Sequence, residues 1–245
     1  MGIDVGGSGI KGAVVDTKKG ELLTDRHRIP TPKPATPDAI ITTIEQIIKE
    51  FDWHGNVGCG FPAAVKREVV KTASNIDNSW IGVNASARIE SETGCTTHLV
   101  NDVDAAGYAE IEFGAGKECD GTIFMAAFGT GIGTAVFHDH HLVPNTELGH
   151  IPMHGMAAED FAANSIRKKE KLSWEEWGER VNEYLHLVED LFWPDVIIIG
   201  GGVSKKFNKF SKYIDVGTAV VPAENRNHAG IIGAALAVSD DGQTS

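Results

Sequence analysis

The sequence predicts an α/β protein in which one plan of strands and helices occurs twice. Apolar runs typical of strands alternate with runs at helical spacing along the whole chain of 245 residues. Residues 3–15, IDVGGSGIKGAVV, read as an apolar strand, a glycine-rich turn and a second strand, and residues 123–137, IFMAAFGTGIGTAVF, repeat that pattern. Two matching glycine hairpins, each opening one half of the chain, indicate duplicated domains that share a ligand.

Composition and charge argue against several classes of protein. The net charge of −12 at neutral pH produces a field that repels nucleic acids and anionic membrane surfaces. No apolar run approaches the roughly 18 residues of a membrane span, and no secretory signal is recognisable. Cys59, Cys95 and Cys119 lie far apart without a C-x-x-C pair, which argues against a disulfide framework and a zinc knuckle. We therefore expect a cytoplasmic protein without nucleic-acid or membrane partners.

The first glycine hairpin is a candidate anion site. Gly7, Gly9 and Gly12 match the G-x-G-x-x-G spacing of a dinucleotide-binding turn, but that turn leads from a strand into a helix. Here β-branched residues follow, so the pattern indicates a strand–turn–strand hairpin and argues against NAD. Taken alone, the glycines either supply the positive φ of a tight turn or expose backbone N–H groups to phosphates, with Asp4 facing their metal ion. The second hairpin favours phosphate binding, because two facing hairpins can hold one phosphate chain.

Helix and strand signals follow in order along the rest of the chain. Thr36 and Pro37 supply an N-cap and a first helical position ahead of isoleucines at helical spacing. Ser173 and Glu176 form a capping-box signature, and the tryptophans after it are more typical of a core stripe than of a sugar-stacking platform. The remaining patterns predict a helix over 84–93, a strand over 97–102 that leads into a helix, a buried strand and glycine turn over 195–203, a helix around 204–213, and a small-residue helix over 228–238 that lets another backbone approach closely.

Asn101 and Asp102 lie where a predicted strand ends and a helix begins, which is where open α/β sheets place ligands. Two interpretations of Asp102 stay open at this point. Its carboxylate either caps the helix or accepts a proton from a hydroxyl group during phosphoryl transfer. Asp104 is a competitor for the second role, but Asp102 is nearer the end of the strand.

A second cluster of polar side chains occurs in NTELGHIPMHGMAAED, where Glu147, His150, His154, Glu159 and Asp160 fall within a short span. These residues are either a solvated surface, a zinc site or a set that hydrogen-bonds neighbouring hydroxyls of a sugar. The glycines and the proline in the segment disfavour the helix that the zinc set needs.

Two basic segments also have two interpretations. Lys205, Lys206, Lys209 and Lys212 recur at three- to four-residue spacing, and RKKEK occupies residues 167–171. They form either solvated helix faces or a track for a polyanion.

Several motifs resemble the repressor, open reading frame and kinase (ROK) family of the hexokinase–actin superfamily. They are GIDVGGSGIKGAVVD, TASNIDNSWIG, VNDVDAAGYAE, FGTGIGTAVF, LVPNTELGH and WPDVIIIGGGVS, in this order. Within that family, TPKPATPDA, TASNIDNSW and AVVPAENRNHAGIIGAA resemble the polyphosphate/ATP-dependent glucokinases. The resemblance implies a two-lobed ribonuclease-H-like (actin/hexokinase-type) α/β fold, with duplicated βββαβα-type domains and a cleft between them. Residues 1–100 would form a small lobe completed by 229–245, and residues 101–228 a larger lobe.

The resemblance also implies an activity, which is phosphoryl transfer from inorganic polyphosphate or ATP to the 6-hydroxyl of glucose. Asp102 would be the general base, and Mg²⁺ would be held through the phosphates near Asp4. The sugar-binding residues would be Asn75, Asn101, Glu147, His150 and Glu159. The phosphate-binding residues would be Asp4, Gly6, Gly7, Ser8, Gly9 and Lys11 in the first hairpin and Gly129, Thr130 and Gly131 in the second. Gly200, Gly201 and Gly202 would form the adenosine-binding turn, with Lys205, Lys206 and Lys209 as the polyphosphate track. Such proteins are usually homodimers.

The sequence departs from the family in two respects. No cysteine follows Cys119, whereas most members carry a cysteine-rich zinc loop after Glu-Leu-Gly-His. We therefore expect no zinc, which frees His150 for the sugar. The chain starts at its first strand, so we expect no DNA-binding helix-turn-helix. The competing hypotheses are an ATP-only hexose or N-acetylhexosamine kinase and a non-catalytic sugar-sensing protein of the same fold.

Overall fold

A computed structural model describes residues 1–73, 76–225 and 228–240. Its strands are β1 (Gly2–Gly6), β2 (Gly9–Ala13), β3 (Val15–Asp16), β4 (Glu21–Leu22), β5 (His27–Ile29), β6 (Val57–Phe61), β7 (Val65–Lys66), β8 (Val69–Val70), β9 (Thr97–Asn101), β10 (Thr122–Phe128), β11 (Ile132–His138), β12 (His141–Val143), β13 (Pro152–Met153), β14 (Met156–Ala157), β15 (Val196–Gly200) and β16 (Ala219–Pro222). Its helices are α1 (Pro37–Glu50), α2 (Ala85–Thr93), α3 (Asp102–Phe113), α4 (Ala158–Ala162), α5 (Asn164–Lys169), α6 (Trp174–Phe192) and α7 (Ala229–Asp240). Within these described ranges, every helix is too short or too polar to cross a membrane.

The first of two structural units comprises residues 1–113 and helix α7. Its main sheet has the strand order β5-β2-β1-β6-β9. Strands β1, β2 and β5 pair antiparallel, whereas β6 and β9 continue the sheet in parallel from β1. Pro37 opens α1 as predicted, and Ile40, Ile44 and Ile47 on one face of that helix are fully buried in the core of this unit. Thr36 occupies the N-cap position, but its side chain makes no capping hydrogen bond.

The second unit, residues 114–226, repeats the first strand for strand. Its main sheet has the order β12-β11-β10-β15-β16, with β10, β11 and β12 antiparallel and β15 and β16 parallel to β10. Each sheet therefore begins with a glycine hairpin, as the sequence predicted. The capping box that opens α6 is also confirmed: Ser173 Oγ accepts from the N–H of Glu176, and the Glu176 carboxylate accepts from the N–H of Ser173. Trp177 is fully buried against Phe128, which confirms the core interpretation for that tryptophan.

Helix α7 follows the second unit along the chain but packs within the first. Gly233 lies so close to α3 that a Cβ there would stand 1.5 Å from the carbonyl oxygen of Ala105. Gly58 in the sheet is equally close to α7, because its Cβ would stand 1.7 Å from the carbonyl oxygen of Ala234. The close backbone approach predicted for the small-residue helix is confirmed.

The division between the units falls after Phe113, whereas the sequence placed the boundary between residues 100 and 101. The whole of α3, including Asp102, therefore belongs to the first unit. The physical reason is that α3 buries Ala105 and Ala109 in clusters shared with α7, an association between residues more than a hundred positions apart that no local pattern reveals.

The helix predicted around 204–213 is not an α-helix. Two short 3-10 segments, Ser204–Lys209 and Ser211–Tyr213, replace it, and Lys206 breaks the first with φ −119° and ψ 15°. Three residues per turn bring Phe207 and Phe210 to one side, where their rings contact each other and Phe210 is fully buried. The predicted α-helix that would carry Lys205, Lys206, Lys209 and Lys212 is therefore wrong.

Candidate active site

The first glycine hairpin joins β1 to β2 through Gly7 and Ser8, both exposed, and Gly6 pairs with Gly9 at its base. The strand–turn–strand interpretation is thus confirmed. An arginine that the sequence analysis did not identify, Arg28, reaches the turn from β5 and donates from Nη2 to the carbonyl oxygen of Ser8 at 2.5 Å. A Cβ at Gly9 would lie 2.5 Å from the Arg28 Nε. Because Gly9 has no side chain, the guanidinium group of Arg28 fits beside the hairpin.

Asp4 and Lys11 face each other across this hairpin. They are direct partners in the β1–β2 register, and Lys11 Nζ lies 2.8 Å from Asp4 Oδ2. The N-terminal turn of α7 also approaches, since a Cβ at Gly230 would lie 3.1 Å from Asp4 Cγ. The ammonium group of Lys11 makes a charge-assisted hydrogen bond to the carboxylate. The hairpin thus presents an anionic oxygen together with a lysine that can contact a phosphate.

The cap of α3 is supplied by Asn101 rather than by Asp102. Asn101 Oδ1 accepts from the backbone N–H groups of Val103 at 2.8 Å and Asp104 at 3.2 Å, and its Nδ2 donates to the carbonyl oxygen of Ala63. These bonds satisfy orphan donors at the helix N-terminus. Capping therefore does not account for Asp102, whose side chain is half-buried at the first residue of the helix.

Asp4 and Asp102 lie near one point of the first sheet, Gly60. Asp4 pairs with Gly60 in the parallel register of β1 and β6, and a Cβ at Gly60 would stand 3.7 Å from the Asp102 Cα. Both residues are at the carboxyl end of the parallel strands, the edge where open α/β sheets bind ligands. The structure therefore brings the candidate base and the first phosphate hairpin together within the first unit.

In the second unit, Glu147, His150 and Glu159 form a cluster. His150 Nε2 lies 3.4 Å from Glu159 Oε1, and His150 Nδ1 lies 4.0 Å from Glu147 Oε2. Burial raises the pKa of Glu147, with a further increase from the nearby Glu159 carboxylate, although His150 acts in the opposite direction. Two partly exposed carboxylates beside an imidazole form a set of acceptors and a donor suited to vicinal hydroxyls.

Glu159 also contacts the second glycine hairpin. Its Oε2 accepts from the N–H of Ile132 at 3.1 Å and lies 2.1 Å from the position that a Cβ at Gly131 would take. The other side of the same loop is held by Ser165, whose N–H donates to the carbonyl oxygen of Gly129 and whose hydroxyl donates to that of Thr130. The cluster of Glu147, His150 and Glu159 and the hairpin are therefore parts of one bonded arrangement. Sequence reasoning missed this link, because it joins residues 27 positions apart through space.

The turn Gly200–Gly202 lies beside that hairpin. Gly201 has φ +75°, and a Cβ there would stand 2.7 Å from the carbonyl oxygen of Phe128, the last residue before the hairpin loop. Gly202 has open space around its Cα, because a Cβ at this position would have no other atom within 4 Å. Gly200 pairs with Ala127 in the register of β15 and β10, so the turn and the hairpin leave the sheet at the same edge.

Three further expectations concern Asn75, the zinc alternative and the lysines after the glycine turn. Asn75 lies outside the described residues. His154, part of the zinc alternative, has its Nε2 2.5 Å from Glu183 Oε1 on α6. Across residues 1–73, 76–225 and 228–240, no group of three or more histidine, cysteine, aspartate or glutamate side chains is arranged to hold a metal ion. Lys205, Lys206 and Lys209 are exposed on the segment after the glycine turn.

Comparisons with known proteins identify relatives along nearly the whole chain. The model of the ROK family matches residues 1–166. The polyphosphate glucokinase of Mycobacterium tuberculosis strain H37Rv is 46% identical over 97% of this chain and 90% of its own. That of Mycobacterium leprae strain TN is 44% identical over 98% of this chain and 75% of its own. The crystal structure of inorganic polyphosphate/ATP-glucomannokinase from Arthrobacter sp. strain KM is 40% identical, covers 98% of both chains and has a TM-score of 0.93.

Proposed function

The chain belongs to the ROK family, and from that premise we propose that it transfers a phosphoryl group from inorganic polyphosphate or ATP to the 6-hydroxyl of glucose. The predicted fold class is confirmed, because the two five-stranded sheets share one plan and the structural neighbours are ROK sugar kinases of the actin/hexokinase type. Relatives that are 44% and 46% identical over nearly the whole chain support an enzyme that phosphorylates glucose.

The observation that carries the catalytic part of the proposal is the position of Asp102. Asn101 caps α3, and Asp102 stands next to it at the sheet edge, close to Gly60 and the first phosphate hairpin. We assign Asp102 the role of general base. As the sugar oxygen bonds to the terminal phosphorus, Asp102 accepts the hydroxyl proton, and the bond from that phosphorus to the bridging oxygen breaks. The electron pair leaves with ADP or with a polyphosphate shortened by one unit.

We assign sugar binding to the cluster in the second unit and to Asn101. Glu147, His150 and Glu159 offer acceptors and a donor to the remaining hydroxyls. Asn101 has its amide oxygen engaged in the cap, so it contributes its second amide hydrogen. Asn75 remains a candidate in the same role on the strength of its motif.

The glycine hairpins are proposed to hold the donor phosphates through backbone N–H groups, with Lys11 on the first and the turn Gly200–Gly202 holding the adenosine of ATP. Mg²⁺ binds through one or two carboxylates together with substrate phosphates, and the single carboxylate of Asp4 at the hairpin fits that requirement. Bound there with the phosphates, Mg²⁺ would neutralise charge that develops on the transferring group.

The test is formation of glucose 6-phosphate with Mg²⁺ and either nucleotide-free polyphosphate or ATP. Turnover with polyphosphate is expected, whereas turnover with ATP alone would favour the ATP-only kinase. The Asp102→Asn variant should lower kcat by roughly 10²–10⁴, the usual scale of general-base catalysis. Asp190→Asn, at an exposed position on α6, is the matched control and should retain wild-type kcat. Wild-type kcat in Asp102→Asn would remove that residue from the mechanism. Glucose binding without turnover, seen as a raised Tm, would favour a sugar-sensing protein.

We also propose that the protein works in the cytoplasm as a homodimer, as the sequence analysis expects. Light scattering on the purified chain measures its mass in solution. A mass equal to one chain of 26.2 kDa at micromolar concentration would contradict the dimer.

A further inference from the structure

The two basic segments, 167–171 and 204–212, meet at one aromatic ring. The guanidinium carbon of Arg167 on α5 lies 4.1 Å from the centroid of the Trp174 indole, and Lys209 Nζ lies 5.7 Å from the same centroid. Trp174 is itself fixed, because it stacks on the buried Phe210 with an interplanar angle of 15°. Side chains that are separate clusters in the sequence thus form one surface in the fold.

The same two segments both begin at the second glycine hairpin. Ser165, in the first turn of α5, is hydrogen-bonded to Gly129 and Thr130 of the hairpin loop. The other segment leaves the turn at Gly201, which packs on the carbonyl oxygen of Phe128 at the base of that loop. Two chain segments therefore run from the hairpin to the Trp174 ring and carry cations along the way.

The acidic groups around this ring are engaged by neighbours. Glu170 is paired with Arg180 at 2.8 Å, and Glu175 accepts from the Tyr213 hydroxyl at 3.2 Å. Glu176 is held by the capping box of α6. Residues 167–171 and 204–212 carry eight lysines and arginines against one glutamate, so a local excess of positive charge remains with Glu175 and Glu176 counted, although the chain as a whole carries −12. Such an excess attracts a polyanion over a short range only.

We propose that Arg167, Trp174 and Lys209 join the basic segments into one donor-chain surface. It binds the phosphates of a long polyphosphate that lie beyond the reacting end. This inference rests on the proposed function, since it assumes that the reacting phosphates sit at the hairpins. Arg167 is suited to the task because Asn164 Oδ1 accepts from its Nε and the indole supports its plane, so little side-chain freedom is lost on binding. ATP ends at its adenosine and has no phosphates to reach this surface.

The experiment compares the wild type, the double variant Arg167→Gln/Lys209→Gln and the control Lys18→Gln/Lys19→Gln, which removes two exposed lysines from the first unit. The KM is measured for long-chain polyphosphate, for tripolyphosphate and for ATP, at two salt concentrations. In the double variant, the ratio of the long-chain KM to the ATP KM should rise about three- to thirtyfold, the scale of two surface ion contacts. The slope of log KM against log salt should fall by about 1.4, at about 0.7 per phosphate contact of a single-stranded polyanion.

Several results would contradict the proposal that this surface binds polyphosphate. They are an unchanged ratio of the long-chain KM to the ATP KM, an equal rise in KM for all three donors, or an equal effect in the lysine control. Single-stranded DNA that competes for the enzyme as strongly as polyphosphate does would also contradict it. Wild-type turnover with ATP but not with polyphosphate would also overturn it while leaving a sugar kinase in place. Turnover with none of the donors would instead refute the proposed function. Far-UV circular dichroism of each variant verifies that the fold is retained.

Discussion

A methyl group at Gly233 should destabilise the protein, although alanine is the better helix former. Alanine in a helix interior is favoured over glycine by about 1 kcal/mol. At Gly233, however, the new Cβ would stand 1.5 Å from the Ala105 carbonyl oxygen, where ordinary contact begins at 3.4 Å. Helices α3 and α7 would have to separate by roughly 2 Å, and a gap of even 1 Å loses up to about half of the dispersion energy.

The size of the effect follows from these opposing contributions. Overpacking against a rigid backbone costs about 3 kcal/mol, the upper part of its usual range, so the net loss for Gly233→Ala is about 2 kcal/mol. For a chain of this size, such a loss lowers Tm by about 4–8 °C. Because α3 begins at Asp102, the displaced helix should lower kcat as well.

Gly178→Ala, in the interior of α6, provides the matched control. A Cβ there would lie 3.0 Å from Tyr213 Cδ2 and 3.3 Å from the carbonyl oxygen of Phe210, so a shift of a few tenths of an ångström relieves the contact, whereas Gly233 needs a far larger one. Its Tm should stay within about 2 °C of the wild type. Thermal unfolding followed by far-UV circular dichroism measures both variants. If Gly233→Ala were as stable as the wild type or more stable, the close contact of α3 and α7 would not be the constraint described above.

Three further predictions concern single side chains. Burial raises the pKa of Glu147, so at pH values above that pKa the ionised carboxylate lowers the stability of the folded protein. Glu147→Gln should therefore keep or raise the Tm at pH 7, while the KM for glucose rises about tenfold. A lowered Tm with an unchanged KM would contradict this. Although burial opposes ionisation of Glu68, hydrogen bonds from His98, Ser86 and the N–H of Leu99 outweigh it and lower its pKa, so the stability it contributes is present above pH 4.5 and lost below it. Urea unfolding between pH 7 and pH 3 should therefore show a flatter acid limb in Glu68→Gln. Ser173→Ala should cost about 1 kcal/mol in the same unfolding measurement, whereas Thr36→Ala, at an N-cap without a side-chain bond, should cost less.

Local signals in the sequence were sufficient for the elements whose cause is local. Pro37 at the start of α1, the capping box at Ser173 and the two glycine hairpins depend on residues within a few positions of one another, and the structure has all of them. The helix predicted over 84–93 belongs to the same group, because Gly94 follows it with φ +72° and ends α2. Such features are decided by backbone sterics and nearby hydrogen bonds, which composition and spacing express directly.

The features that the sequence did not predict depend on contacts through space. Arg28 reaches the first hairpin from a neighbouring strand, and no spacing rule connects it to Ser8. The segment after Gly202 forms 3-10 turns rather than an α-helix, and its Phe210 packs against Trp177 of α6, a contact that local spacing does not reveal. That Asn101 caps α3 was not predicted; the sequence analysis considered only Asp102 as the cap, and the answer turns on the residue at which the helix begins.

The position of α7 has a consequence for how the chain is made. Residues 114–226 form a continuous unit, whereas the first unit needs a helix that begins at Ala229. Glycines in the sheet of the first unit leave room for the backbone of α7, and Ala105 and Ala109 would face water if α7 were missing. On the ribosome, residues 1–113 emerge first, but the clusters around Ala105 and Ala109 cannot form until α7 has been synthesised. We therefore expect the second unit to be completed before the first, the reverse of the N-to-C order usual in multidomain proteins. A nascent chain stalled before Ala229 would expose the face of the sheet at Gly2 and Gly58 that α7 covers in the folded protein.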